Sequence, residues 1–487
     1  MEINQKIIKK EFIKIKVFPD RDKFRFTIPT SSIRKIGAKP DNYVKLNIQK
    51  DSHKYQTYLS IPSLPKSRDN LQVRRAVPKD FVEKANLKTG DILDISISLV
   101  DNIRTNRIII GDYLDLLALI PRKTKCNKTI MVELFNKNDE DWLKAWYCSG
   151  KGGNAKSIEL KRFVTIDEKL GEFFGLMQAE SSKNGVRLDF TMKFLSQINL
   201  FMDISKLFGI PESSWKGMIF HNPDITNECL ESRKKEFAKL LDINETSISL
   251  IKNKNLLDII YSMYIPNTTL GQIMITILTK IRTHLEKQEK LNNYLREFST
   301  GFIIKYLLGD GTVIANNSSL DIFISEGNLS IHPSIRKLLK LLNINSSSQD
   351  IKIHLSTNFE VCIWLIENNA FAEHKDNRRK LLKYVLSNYY FKILYERLKS
   401  VNNRRISEFA KKHNISIKTA QKYLSDNTKR GFLHKIKSDV NIIYHITKKG
   451  ENFLYLMKSA KEELQPLMTP SGTTRATSPA RPASTVT

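Results

Sequence analysis

Apolar and polar residues follow the same pattern twice within the first hundred residues. Residues 28–48 and 77–97 align without a gap at an offset of 49 (77 − 28). Each copy predicts a strand that ends at a proline, Pro29 or Pro78, then a short helix, a turn, and a strand with apolar residues at alternate positions. Because one copy is too small to bury a core alone, we expect the two to pair into one small β-barrel.

Two longer apolar segments each end in a carboxylate. Residues 170–180 and 301–310 predict buried helices that finish at Glu180 and Asp310, 130 positions apart (310 − 180). The segments that follow also match, residues 206–214 with 340–348. An acid is disfavoured at a helix C-terminus, where the helix dipole is negative. Two such helices packed side by side would bring their carboxylates together, an arrangement that suits Mg²⁺ and, with it, hydrolysis of a phosphodiester.

A third pattern occupies residues 401–450. It predicts a short amphipathic helix, a turn, and a second helix that starts after Ser416 as its N-cap. The second helix is expected to bury Ala420, Tyr423 and Leu424. The residues expected on its exposed face are Lys418, Thr419, Gln421 and Lys422. A charged hairpin follows.

The remaining segments are less informative. Residues 108–120 predict a strand and a short helix, and residues 141–147 predict a helical apolar stripe whose tryptophans belong to the core. We can place no chemistry between residues 100 and 162. Residues 465–487 are dominated by Pro, Ser and Thr, a composition that predicts a disordered tail.

Composition narrows the function. The 487 residues allow about three or four domains. The net charge of +28 favours a polyanionic partner, most often nucleic acid, although an AT-rich genome would also enrich lysine. The four cysteines form no CxxC pair, so we expect neither a disulfide scaffold nor a zinc ribbon, and a reducing cytoplasm. No apolar run is long enough for a membrane span, and the N-terminus has no signal-peptide pattern.

The two acidic segments resemble the motifs of the LAGLIDADG homing-endonuclease family. FFGLMQAES (residues 173–181) matches the first motif and IIKYLLGDG (residues 303–311) the second. Ser181 stands where Gly is usual, and Lys305 replaces a small residue of the helix interface. The resemblance covers residues 163–396 and implies that Glu180 and Asp310 bind Mg²⁺, for which Mn²⁺ can substitute.

The same resemblance implies a basic residue near each scissile phosphate, at the end of a late strand before a helix. In the first half this position is assigned to Lys254, with Lys252 as the alternate. The second half offers only Thr357, with His354 nearby.

The flanking regions resemble two other families. The N-terminal repeat resembles the AbrB/SpoVT swapped-hairpin family, which implies DNA phosphate contacts. The residues assigned to them are Arg25, Arg34, Lys35, Arg74, Arg75 and Lys79. Residues 401–450 resemble winged-helix domains, whose second helix enters the major groove. Either module could instead contact proteins.

The expected fold class is therefore multidomain α+β: a duplicated αββαββα saddle, preceded by a small β-barrel and followed by a winged helix. The predicted domains are a tandem repeat (1–99), a connecting region (100–162), two LAGLIDADG halves (163–290 and 291–396), a winged helix (397–464) and the tail. We expect a cytoplasmic, nucleoid-associated monomer that binds and cleaves double-stranded DNA at a specific site. A non-cleaving transcriptional regulator, as in families such as WhiA, and an RNA-splicing maturase remain as alternatives.

Overall fold

A computed structural model describes residues 7–20, 23–39, 42–61, 73–100, 107–147, 157–181, 185, 187–192, 195–256, 258–316, 319–401, 404–437 and 442–468. The chain divides into two compact units, Met1–Gly309 and Asp310–Thr487. Helices and several small sheets alternate in both units, so the expected mixed α+β class is confirmed. Among the described residues, no helix is both long enough and apolar enough to cross a membrane.

The N-terminal repeat is also a structural repeat. Its elements are β1 (Ile7–Lys16), β2 (Phe18–Asp20), β3 (Lys23–Ile28), α1 (Thr30–Lys35), β4 (Tyr43–Lys50), β5 (His53–Ser60), β6 (Val73–Ala76), α2 (Lys79–Lys84) and β7 (Ile92–Val100). β4 pairs antiparallel with β7 around Asn47 and Ser96, and β3 pairs with β6 around Phe26 and Arg75. Both central pairs are 49 residues apart (96 − 47 and 75 − 26), as an approximate two-fold axis requires. The two copies share one buried core, so the predicted pairing of the copies is confirmed.

The connecting region adds strands to this module. Its elements are β8 (Ile109–Ile110), β9 (Tyr113–Asp115), α3 (Leu116–Leu119), β10 (Ile130–Lys137), β11 (Glu140–Tyr147), β12 (Ile158–Lys161) and β13 (Phe163–Thr165). A strand and a short helix within residues 108–120 are confirmed by β9 and α3. The helix predicted for residues 141–147 is wrong, because these residues form β11. A two-residue turn at Asn138 and Asp139, both with positive φ, joins β10 to β11 as a hairpin.

The predicted small barrel is wrong for the described residues. Seven strands form one open sheet in the order β1-β7-β4-β5-β10-β11-β12, while β2, β3 and β6 form a separate three-stranded sheet. The physical reason lies at β5, which pairs with β10 through Leu59 and Glu133. The sheet of the tandem repeat therefore grows sideways into the connecting region.

The first of the two predicted halves, residues 163–290, departs from the expected element order αββαββα. It contains α4 (Glu168–Glu180), β14 (Leu188–Met192), α5 (Ile198–Phe208), β15 (Lys216–His221), α6 (Asn227–Leu241), β16 (Ile248–Lys252), β17 (Ile260–Ile265) and α7 (Thr268–Glu286). Here β15 and β16 are parallel neighbours, and α6 supplies the crossover that such a pair needs. α6 and β16 are insertions relative to αββαββα. The expected order also has a strand directly after α4. Residues 182–184 and 186, which follow α4, lie outside the described part.

The second half follows the expected order αββαββα. It consists of α8 (Asn293–Asp310), β18 (Gly311–Ala315), β19 (Leu320–Ser325), α9 (His332–Leu341), β20 (Ser346–Gln349), β21 (Lys352–Leu355) and α10 (Phe359–Glu367). Its four strands are antiparallel in the order β18-β19-β21-β20. The first unit ends within α8 and the second begins at Asp310.

The C-terminal elements confirm the predicted pair of helices followed by a hairpin. They are α11 (Lys375–Ser387), α12 (Tyr389–Leu398), β22 (Arg404–Arg405), α13 (Ile406–Lys412), α14 (Ile417–Lys429), β23 (Leu433–Lys437), β24 (Ile442–Ile446) and α15 (Lys448–Met468). Arg378 of α11 donates two hydrogen bonds of 2.8 Å to Glu463 of α15. The tail predicted from Gln465 is corrected for its first residues, because α15 continues to Met468. Residues 469–487 lie outside the described part.

Candidate carboxylate site and nucleic-acid interface

Helices α4 and α8 pack backbone against backbone within the first unit. A Cβ atom added to Gly171 would lie 2.0 Å from the carbonyl oxygen of Phe298, and one added to Gly175 would lie 2.2 Å from that of Phe302. Since both contacts advance by four residues along each helix, the helices run parallel. Only glycine leaves room for this approach. The small-residue helix contact that the motifs predicted is therefore present.

The two helices are related by an approximate two-fold axis. A Cβ atom added to Gly301 would lie 2.3 Å from the carbonyl oxygen of Glu168. Subtracting the repeat offset of 130 from Gly301 and Phe298 gives Gly171 and Glu168, so this contact is the counterpart of the one at Gly171. The offset found between the two motifs in the sequence is therefore also the offset of the helix contacts.

Lys305 occupies the position equivalent to Gly175 (305 − 130). Its Nζ atom lies 4.0 Å from Oε1 of Glu172, and the two side chains are 16% and 26% exposed. A lysine can be accommodated at this half-buried position because its ammonium group lies beside a carboxylate. The lysine therefore does not prevent the backbone contacts at the neighbouring glycines.

Both helices reach the surface at the same end. Gly309, in the last turn of α8, packs against Ala179, and a Cβ atom added to Gly309 would lie 3.1 Å from Oε1 of Glu180. Glu180 is half-buried, and burial raises the pKa of its carboxyl group above its usual range. The carboxylate group of Glu180 makes no hydrogen bond or ion pair with another residue of the described part of the chain. Asp310 follows Gly309 directly and is also half-buried.

A basic residue that the sequence did not reveal lies along α4. Nη1 of Arg282, on α7, donates a hydrogen bond of 3.2 Å to Oε1 of the buried Gln178, two residues before Glu180. The two residues are 104 positions apart, and no local pattern signals their contact. No group of three or more His, Cys, Asp or Glu side chains that could hold a metal ion occurs among the described residues.

The basic residue assigned to the first half is not where the pattern predicted it. Lys254 is exposed in the turn between β16 and β17, so it precedes a strand and not a helix, and Lys252 is the exposed last residue of β16. Thr357 does precede a helix, α10, and its hydroxyl group donates to the carbonyl oxygen of Leu320 at 2.9 Å. The insertion of α6 and β16 explains why Lys254 and Thr357 are not equivalent.

His354, the residue considered near Thr357, lies on β21. Its Nδ1 atom is 2.9 Å from Oδ1 of Asp321 on β19. The imidazole is therefore held by a neighbouring strand of its own sheet.

The six basic residues predicted in the tandem repeat fall into four groups: exposed, half-buried, buried, and outside the described part. Arg34, Lys35 and Lys79 are exposed, although Lys35 lies 3.0 Å from Glu11 and Lys79 lies 3.5 Å from Glu83. Arg25 is half-buried, and the side chain of Arg74 lies outside the described part.

The phosphate contact predicted for Arg75 is corrected. Its side chain is 8% exposed, and the guanidinium carbon lies 4.7 Å from the centre of the Trp146 ring. A cation held against a tryptophan in this way is part of the packing between β6 and β11. An exposed guanidinium group, which a phosphate contact needs, is not available at this position.

The exposed helix of the C-terminal module matches its prediction closely. The hydroxyl group of Ser416 accepts a hydrogen bond of 3.1 Å from the backbone N–H of Thr419, which confirms the N-cap of α14. Ala420 and Leu424 are buried, as expected, whereas Tyr423 is half-buried and donates a hydrogen bond of 3.4 Å to the carbonyl oxygen of Leu394. The four residues predicted on the outer face, Lys418, Thr419, Gln421 and Lys422, are all exposed.

Comparison with protein-family models gave no match for this chain, and comparison with curated protein sequences gave none. The functional assignment therefore rests on the residues and contacts described above. Of these, the glycine-lined helix pair and the exposed face of α14 are the features with the clearest chemical consequence.

Proposed function

We propose that this chain is a site-specific, metal-dependent double-stranded DNA endonuclease of the LAGLIDADG homing type. The observation that supports it best is the parallel, two-fold-related pair of α4 and α8. Their glycine contacts bring the last turn of α8 against Glu180, and Asp310 is the next residue along α8. In this proposal Glu180 and Asp310 hold Mg²⁺, with Mn²⁺ as a substitute, and phosphodiester hydrolysis takes place there.

The chemistry of Glu180 fits a cation. A half-buried carboxylate with a raised pKa is one whose charge lacks compensation, and a divalent ion would supply it. Mg²⁺ keeps several waters and needs only one or two protein carboxylates beside substrate phosphates. When bound, the ion would supply Lewis acidity and a more acidic water. Glu180 and Asp310 would hold the ion, and Gln178, fixed by Arg282, would keep the end of α4 in place.

DNA binding in this proposal comes from the tandem repeat and from α14 of the C-terminal module. The net charge of +28 favours a polyanion, and α14 presents Lys418 and Lys422 on an exposed face that fits a major groove. The exposed Arg34, Lys35 and Lys79 would contact phosphates. Because both repeats lie within one chain, we expect a monomer. We expect this monomer to act on DNA in the cytoplasm.

Substitution of the carboxylates separates cutting from binding. We expect Glu180→Gln and Asp310→Asn each to abolish cleavage while DNA affinity in Ca²⁺ stays near that of the unmodified protein, because both residues hold metal and do not contact bases. Cleavage is measured on a randomised duplex library with Mg²⁺ or Mn²⁺, and the cut ends are sequenced. Glu168→Gln, an exposed substitution at the start of the same helix, is the control and should cut normally. Wild-type cleavage by the double variant would refute the assignment.

A non-cleaving transcriptional regulator is the second candidate. It is favoured by the exposed face of α14, which needs no metal ion to contact DNA. The same library distinguishes the two. Metal-dependent cut ends support the endonuclease, whereas selective retention of one sequence without cut ends in any metal supports the regulator.

A further inference from the structure

The sheet of the tandem repeat has two faces of different character. Side chains alternate between the faces along each strand, and on β1 the residues Ile13 and Ile15 face the buried core that also contains Ile33 of α1. Phe12 and Lys14 lie on the opposite face and are exposed. The helices α1 and α2 therefore pack against one face of the sheet, and Phe12 belongs to the other.

Three rows of side chains cross the strands β1, β7, β4 and β5 on this second face. They run from Lys10 to Tyr58, from Phe12 to Gln56 and from Lys14 to Lys54, and together they are here called the polar face. The rows contain the four lysines Lys10, Lys14, Lys45 and Lys54 and one acidic residue, Asp94. Nζ of Lys14 lies 3.5 Å from Oδ1 of Asp94, and both side chains are exposed. Because water screens an exposed ion pair, this pair competes weakly with a phosphate.

Each aromatic residue of the polar face has a lysine beside its ring. Nζ of Lys10 lies 4.4 Å from the centre of the Phe12 ring, and Nζ of Lys45 lies 5.8 Å from that of Tyr58. Phe12 is 72% exposed although it lies in the middle of a strand. A nucleobase that stacks on such a ring brings its phosphate close to the neighbouring lysine. Aromatic rings interleaved with cations suit a single-stranded nucleic acid, because its bases are unpaired and its backbone is charged.

The side chains between the two rings are polar. Nδ2 of Asn47 donates a hydrogen bond of 3.1 Å to Oγ of Ser96, and Nε2 of Gln56 donates one of 3.1 Å to the hydroxyl oxygen of Tyr58. Amide groups both donate and accept, so they match the edges of unpaired bases. The two rings lie about 15 Å apart, three strand spacings across the sheet and one row along it. A strand of a few nucleotides reaches both rings, whereas the bases of a duplex are enclosed in its stack.

We infer that the polar face binds single-stranded DNA. Bases stack on Phe12 and Tyr58, and phosphates lie at Lys10, Lys14 and Lys45. Stacking of this kind tolerates any base sequence. The choice of DNA rests on the proposed function, which brings DNA to this chain, but the binding needs neither metal nor cleavage. The strand held here is one whose partner strand has been displaced or removed.

Substitution of Phe12 tests the stacking. Binding of fluorescein-labelled oligothymidylate to the full-length protein is measured by anisotropy in EDTA, with excess unlabelled duplex to occupy the surfaces that bind duplex DNA. Phe12→Leu should weaken binding about 5-fold or more, the lower end of what base–aromatic stacking contributes. Phe12→Trp should keep the affinity. The matched control is Tyr455→Leu on α15, because Tyr455 is 74% exposed. Equal affinity of Phe12→Leu and the unmodified protein would overturn the inference.

Photo-crosslinking locates the bound strand directly. An oligonucleotide that carries 5-iodouracil is irradiated with the unmodified protein, and the cross-linked peptides are identified by mass spectrometry. We expect cross-links at Phe12 or Tyr58, and cross-links confined to other surfaces would overturn the inference. Complete displacement of the labelled strand by duplex would overturn the preference for single strands. Tighter binding of oligouridylate than of oligothymidylate would overturn the assignment to DNA, and equal displacement by polyglutamate would overturn the assignment to nucleic acid.

Charge removal tests the same surface independently. For Lys10→Gln/Lys14→Gln we expect the slope of log K against log salt to fall by about 1.4, since each lost contact with a single strand lowers it by about 0.7. The matched control, Lys235→Gln/Lys239→Gln, removes two exposed charges from α6 and should keep the slope. Equal slopes for both variants and the unmodified protein would overturn the inference.

The outcomes also separate this inference from the endonuclease assignment. Loss of single-strand binding in Phe12→Leu, in a protein that never cuts DNA, supports the polar face and counts against the nuclease. Metal-dependent cutting, together with unchanged single-strand binding in Phe12→Leu, does the reverse.

Discussion

The contact between α4 and α8 leads to a sharp prediction about stability, because it depends on the absence of one methyl group. In Gly171→Ala the new Cβ atom would lie 2.0 Å from the carbonyl oxygen of Phe298, where ordinary contact begins at 3.4 Å. The deficit is 1.4 Å (3.4 − 2.0). The obstructing atom belongs to the backbone of a buried helix, so it cannot swing aside as the end of a side chain could. The helices must separate.

Two opposing terms set the magnitude of this change. Overpacking of a buried contact typically costs about 1–3 kcal/mol, and a deficit of this size against backbone belongs at the upper end. The greater helix propensity of Ala returns about 1 kcal/mol. We therefore expect the free energy of unfolding of the first unit to fall by about 2 kcal/mol. The two-fold relation predicts a similar loss for Gly301→Ala, whose Cβ atom would lie 2.3 Å from the carbonyl oxygen of Glu168.

Urea unfolding, followed by circular dichroism in metal-free buffer, measures this loss. The matched control is Gly327→Ala, because a Cβ atom there meets nothing within 4 Å and no positive φ is involved. It should be neutral or stabilising by up to about 1 kcal/mol. The two helix variants should also cleave DNA poorly, since separation of the helices moves Glu180. If Gly171→Ala unfolds at the same urea concentration as the unmodified protein or above it, the backbone contact is not as described.

Three further predictions concern charge and burial. Since burial raises the folded-state pKa of Glu180 above its ordinary 4.5, this carboxyl group costs stability as pH rises through the folded pKa. Glu180→Gln should therefore stabilise the metal-free protein at neutral pH in urea titrations, and the gain should vanish below the ordinary pKa. Glu463→Gln should destabilise the second unit by about 2 kcal/mol, because Arg378 loses a charged partner. In thermal unfolding, the exposed control Glu462→Gln should change stability by less than about 0.5 kcal/mol. Burial raises the pKa of Cys362 to about 12, so iodoacetamide at pH 8 should modify it only after denaturation.

The repeats were the most predictable part of the fold. A repeat offset in the sequence, 49 in the N-terminal module and 130 between the motifs, becomes a two-fold relation of strand pairs or helix contacts. Ser416 and the exposed face of α14 were equally predictable, because an N-cap and a helical period are local features. Such features depend only on residues a few positions apart.

The wrong predictions share a different cause. Residues 141–147 fit a helical stripe as well as a strand, and the decisive signal was the Asn138–Asp139 turn before them. Arg75 was expected on the surface because its charge was considered without Trp146, which lies 71 positions later (146 − 75). The order of strands around α6 depended on long-range pairing as well, and this displaced Lys254 from its expected place.

Some equivalent positions of α4 and α8 carry different residues, and these positions indicate where the two helices have different roles. Gly175 and Lys305 are equivalent, yet one permits a backbone contact and the other places a cation beside Glu172. Gln178, which accepts a hydrogen bond from Arg282, is equivalent to Leu308, which has no polar side-chain atom. The backbone contacts of α4 and α8 are thus nearly symmetric while the charges along them are not. A duplicated scaffold needs symmetric contacts to hold its helices together, but it is free to differ wherever a side chain faces a ligand. The charged differences near Glu180 are therefore the positions where we expect the two DNA strands to be treated unequally.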